Sequence, residues 1–164
     1  MDAAVLRHLV ATLAYRASKV LRDAPAGFAT LSVAANTRRP VQIVAHMGDL
    51  MTWALTLARG DNVWTRGGSD DWQKEVQRFF AELENLDRHL AASTPPAGAA
   101  EKLIQGPLAD ALTHVGQLAM LRGMAGAAVR PESYAKADIV LGRVGLDQAP
   151  SKREFDGDAS ARIE

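Results

Sequence analysis

Asp110, His114 and Gln117 are the residues of this 164-residue chain whose types and spacing most invite chemistry. They stand four and three positions apart in a stretch with helical apolar periodicity, so one helix face would carry all three. With Asp110 placed at zero, His114 falls at about 40° and Gln117 at about −20° around the helix axis. A carboxylate and an imidazole side by side offer oxygen and nitrogen donors to a divalent cation. One turn further on, Gln117 could orient a bound water or fix the imidazole tautomer. A hydrogen bond between helices would account for Gln117 equally well, and Asp110 accepting from His114 in a buried network needs no metal.

The chain has no cysteine. Disulfides, a thiolate nucleophile and thiolate-ligated metals are therefore excluded, and metal chemistry must use His, Asp and Glu. Of the four histidines, His8 shares a face with Val5, Thr12 and Tyr15 and could border a cleft. His89 sits near a helix C-terminus, where a cation is favoured for a general reason. His46 lies within a long apolar helix. Asp49, close to His46, belongs with Gln42, Thr52 and Thr56 on a polar face, which points to solvation or capping contacts rather than ligation.

Four helical windows must position these groups, and no period-2 strand pattern competes with them. The first follows Asp2, which can serve as its N-cap, and carries Leu6, Leu9, Leu13, Ala17 and Val20 on one face before ending near Asp23. A loop containing Phe28 and Asn36 leads to Pro40, suited to a first helical turn because its missing N–H has no partner to lose. The second window runs to about Gly60 with two apolar stripes, one through Val44, Met47, Met51, Leu55 and Ala58, the other through Ile43, Leu50, Trp53 and Leu57. So broad an arc fits a helix packed against two neighbours. After a turn-rich joint, Ser69 or Asp70 can cap a third helix whose stripe is Trp72, Val76, Phe79, Leu83, Leu86 and Leu90. Lys74, Gln77, Arg78, Glu84, Asn85 and Arg88 lie largely on its solvated side. Pro95 and Pro96 close it off. The fourth window runs from about Pro107 to Gly126, with Leu108, Leu112, Val115 and Ala119 behind the polar strip. Met47, Met51, Met120 and Met124 read as adaptable packing. Beyond Gly126, Ile139, Val140 and Leu141 could cover the core, and from Ala149 onward the chain is polar.

The expected fold is all-α, an antiparallel four-helix bundle with a short C-terminal extension, domain 1–148 followed by a flexible tail at 149–164. Lys+Arg and Asp+Glu number 19 each, so no global field draws the protein to nucleic acid or an anionic membrane. Charged residues interrupt the N-terminal apolar run below signal-peptide or membrane-span length, which makes a cytoplasmic setting the default. No nucleophile elbow accompanies any serine, and the RGGSD stretch lacks the length and Lys-Ser/Thr ending of a phosphate-binding loop. Arg38 and Arg39, beside Pro40, read as a solvated helix entrance.

Taken in order, PVQIVAHMGDLMTWAL, EVQRFFAELENLDRHL and QGPLADALTHVGQLAMLRGMAG resemble the DinB/YfiT-like superfamily of helical-bundle, metal-dependent enzymes. The resemblance extends over about 1–145, and KADIVLGRVG is similar to a recurring C-terminal extension. It implies one metal-binding histidine on the second helix, matched by His46, and an H-x-x-x-H pair on the fourth, of which His114 matches the second member. Asp110 stands where the first histidine is expected, so the implied ligand set is His46, Asp110 and His114, a two-His-one-carboxylate group with room for water or substrate.

Two functions follow as expectations. In one, a divalent ion (Zn, Ni, Mn or Fe) activates water or an exogenous low-molecular-weight thiol for a transferase or hydrolase reaction on a small molecule; the thiol is implied by the resemblance alone. In the other, the chain is a metal-free ligand-binding or dimerisation module, with a homodimer as its partner state.

Overall fold

The computed structural model describes residues 3–152, and its regular elements are all helical, with no strand among the described residues. The expected N-cap Asp2 and positions 153–164 of the expected tail lie outside these residues. Four long helices are present: α1 (Ala3–Leu21), α2 (Pro40–Arg59), α3 (Trp72–Ala92) and α5 (Ala109–Met124), with a short α4 (Ala99–Leu103) before the last. Each contributes to one core, which includes Leu13, Met47, Met51, Phe79, Leu83 and Leu118.

Helix boundaries follow local chemistry. Pro40 opens α2, where Gln42 accepts from the Arg39 backbone N–H, and Gly60 ends it with a φ of 97° that a side chain would disfavour. The cap of α3 is Asp71, whose carboxylate accepts from the Lys74 N–H, rather than Ser69 or Asp70. The fourth window begins earlier than its periodicity indicates: the chain is helical from Ala99, widens into a π-type turn at Ile104–Leu108, and continues as α5. Gly106 sits at the kink, where a Cβ would lie 3.3 Å from the Trp53 ring, and Pro107 withholds a backbone donor there.

The direction of α3 corrects the antiparallel expectation. Arg78 of α3 reaches Ala45 and Asp49 near the start of α2, and His89 lies 3.4 Å from the Ala58 carbonyl near its end. The two helices therefore run the same way. Segment 60–71 makes this feasible by travelling back along α2: Asn62 accepts from the Trp53 indole, Val63 bonds Thr56, Gly67 donates to Asp49, and Gly68 passes so close to Ala45 that a Cβ would lie 2.7 Å from that methyl. Across the core, α1 opposes α3, since Arg7 near the start of one meets Asp87 near the end of the other through bonds of 2.9 and 3.0 Å. α5 opposes α2, with Trp53 near Gly106 and His46 near His114.

The described residues after α5 reach back to α1 and the turn that follows it. Tyr15 donates to Glu132, Lys19 to the Ala149 carbonyl and Arg22 to the Leu146 carbonyl. Of the expected cover residues, Ile139 packs on the core, but Val140 and Leu141 are exposed, and Val144 is the side chain that buries instead.

Candidate metal centre

His46 and His114 face one another across the α2–α5 junction, their rings 5.0 Å apart and nearly perpendicular. Asp110, one turn before His114, sits between them: its two carboxylate oxygens lie 3.4 Å from His46 Nε2 and 3.4 Å from His114 Nε2. One donor atom from each of the three residues falls within 4.8 Å of the others, so the group could hold a metal ion. The local part of this arrangement follows from helical spacing. His46 joins it because α2 and α5 cross with opposite directions at this level.

Gln117 completes the geometry. His114 Nδ1 lies 2.7 Å from Gln117 Oε1, so with the amide oxygen accepting, Nδ1 carries a hydrogen and Nε2 is the nitrogen turned toward the Asp110 carboxylate. A proton on that nitrogen or a metal cation would each satisfy Nε2 and the carboxylate oxygen at this separation. His46 is held below the ordinary imidazole pKa, first by burial and then by the charges of Arg38 and His114, with Asp110 opposing. It is therefore neutral near pH 7, the form in which an imidazole binds a metal. The donor set, two nitrogens and one oxygen, suits a first-row divalent ion. Asp110 keeps 46% of its side-chain surface exposed, so the group opens to solvent on that side.

The surroundings correct several expectations. Asp49 is buried: it accepts from Arg78 Nη1 at 2.9 Å and from the Gly67 N–H at 3.0 Å, in place of solvation or capping contacts. Arg78, expected on a solvated side, is held between Asp49 and the fully buried Glu75, and Nη2 donates to the Ala45 carbonyl at 2.6 Å. Glu75 also accepts from both the backbone and the hydroxyl of Ser69. Burial alone would raise its pKa, but the Ser69 and Arg78 bonds prevail and hold it below the ordinary value. His8 is exposed, and His89 approaches the Ala58 carbonyl; neither joins the triad. Met47 and Met51 are buried as packing, whereas Met120 and Met124 are exposed.

Four residues contribute in ways the sequence reading did not give. Trp64 brings its ring to 5.8 Å from His46, roofing that side of the group from segment 60–71. No periodicity marks it, since it sits in a loop. Arg38, read as a solvated entrance, lines the hollows on both sides of the triad. Glu75 and Arg78 carried a legible signal, an acid and a base three apart at the edge of an apolar stripe.

Comparison with family models, curated proteins and solved structures finds no match to this chain. None of the helices is long and apolar enough to cross a membrane, among the described residues.

Proposed function

We propose that the chain is a divalent-metal-dependent enzyme acting on a small molecule, with His46, Asp110 and His114 as ligands and a four-helix bundle of the DinB/YfiT type as scaffold. The observation that carries this reading is the convergence of one donor atom from each of His46, Asp110 and His114 within 4.8 Å of one another, with Gln117 bonded to the far nitrogen of His114. When bound, a divalent ion supplies Lewis acidity toward water or a thiol sulfur at the position left open. Asp110 offsets its charge, and Trp64 shields His46 from solvent. Because the chain has no cysteine, a thiol-dependent transferase reaction would take its sulfur from an exogenous low-molecular-weight thiol, which a cytoplasmic setting would supply. Hydrolysis requires only water.

Metal analysis of protein purified without an affinity tag is expected to find near-stoichiometric divalent ion, lost in the His46→Ala/His114→Ala variant. Protein that stays metal-free after controlled addition of Zn, Ni, Mn or Fe would overturn the reading.

A second reading, a metal-free ligand-binding or dimerisation module, draws on Met120 and Met124, which are 63% and 59% exposed on α5. Sedimentation would then show a homodimer forming with concentration, and a monomer throughout would remove the dimer from consideration.

A further inference from the structure

The His46–Asp110–His114 group stands between two hollows of about 370 Å3 each, one reaching His114 and the other His46. Their walls differ. The hollow at His114 is lined by Val33, Ile43, Met120 and Leu121, and none of its lining residues is acidic. The hollow at His46 is polar and includes Asp49, Arg66 and Asp70. Arg38 lines both, and its guanidinium makes no side-chain hydrogen bond or ion pair among the described residues.

A guanidinium keeps its charge at every relevant pH and presents paired N–H donors that match a carboxylate. Arg78 is saturated by Asp49 and Glu75, and Arg66 lines the polar hollow together with Asp70. Arg38 shares one hollow with His114 and the other with His46, so its charge stands beside the triad. An apolar chamber with one unmatched cation at its metal-facing edge selects an anionic head on a hydrocarbon body. The polar hollow lacks the apolar wall, and its cations Arg38 and Arg66 share it with Asp49 and Asp70.

We infer that the small molecule taken by this site is a monocarboxylate with an apolar body, its carboxylate held by Arg38 beside the triad and its hydrocarbon part lying against Ile43, Met120 and Leu121. The inference rests on the proposed metal site for its catalytic meaning, although Arg38 alone is sufficient to orient the carboxylate. Arg38 is thus a specificity-determining residue.

Calorimetric titration of the full chain with hexanoate, hexanol and hexylamine, each with and without prior saturation by zinc chloride, tests this. Hexanoate is expected to bind at least about tenfold more tightly than the alcohol or the amine, the scale of one charge-assisted pair. Arg38→Ala should remove that preference while leaving hexanol binding unchanged, and Arg38→Lys should restore part of it. Arg38 lies in an exposed loop without partners to lose, so the variant is expected to fold. Hexanoate bound no better than hexylamine, or equally well by Arg38→Ala, would overturn the inference even where zinc binds stoichiometrically. Arg38-dependent hexanoate binding in protein that takes up none of Zn, Ni, Mn or Fe would instead support the carboxylate site and overturn the metal reading.

Discussion

His46 and Asp49 lie three positions apart on α2, and each joins a polar cluster shared with another helix. Around Asp49 every charge is answered. Arg78 lies between two carboxylates at 2.7–2.9 Å, its remaining donors meet the Ala45 carbonyl, and Ser69 and Gly67 fill the carboxylate oxygens. Around His46 the approaches are 3.4 Å, longer than a charge-assisted hydrogen bond. The first cluster is closed, and the second is half open, with Asp110 largely exposed and its three donor atoms within 4.8 Å of one another. The contrast separates a polar group kept for architecture from one arranged for a ligand, although both draw on the same helix and comparable residue types.

The largest expected effect tests the closed cluster. Arg78→Ala leaves Asp49 and Glu75 buried without their cation and removes the tie that holds α3 beside the start of α2, so unfolding free energy in urea should fall by about 3–5 kcal/mol. A loss under about 1 kcal/mol would place the cluster among solvated surface pairs and erase the distinction.

An intermediate effect is expected at the open cluster. Gln117→Leu releases the His114 tautomer, and metal affinity should drop by about 10–100-fold, whereas stability in urea should change by less than about 1 kcal/mol. Competition with a chelator of known strength measures the first quantity. Unchanged affinity would mean that Gln117 does nothing for the ligand set.

The smallest effect is the pH dependence of the closed cluster. Folding holds Glu75 below its ordinary value of 4.5, so on acidification the unfolded chain takes the proton first. The contribution of Glu75 is present in full above 4.5 and drains away as pH falls through the lower folded value. Stability curves at a series of pH values should show this acid limb, and Glu75→Gln should flatten it. An unaltered limb in the variant would assign the acid sensitivity to other carboxylates.

The difference between the clusters also marks how far the sequence could be read. Asp110, His114 and Gln117 were legible together because helical spacing is a local property, and α5 delivers them to one side as that spacing requires. The stripes of α2 and α3 were legible for the same reason, and Met47, Met51, Phe79 and Leu83 are fully buried. Arg78 was misread because a helical wheel assigns a charged residue beside an apolar stripe to water, and only the neighbouring helix decides otherwise. Segment 60–71 was legible as a joint, but its course was not: a loop's path depends on what it lies against, here Trp53, Thr56, Asp49 and Ala45.

By itself, then, the amino-acid order determined the long helices, their apolar faces, the absence of sulfur ligands and the alignment of Asp110 with His114, all consequences of composition or of contacts within one or two helical turns. The tertiary structure alone decided that His46 meets that pair, that α3 runs alongside α2 in the same direction, and that Asp49 is closed off by Arg78 while Arg38 has no ion pair among the described residues. Those outcomes depend on residues tens of positions apart becoming neighbours, and no periodicity within a single helix carries that information.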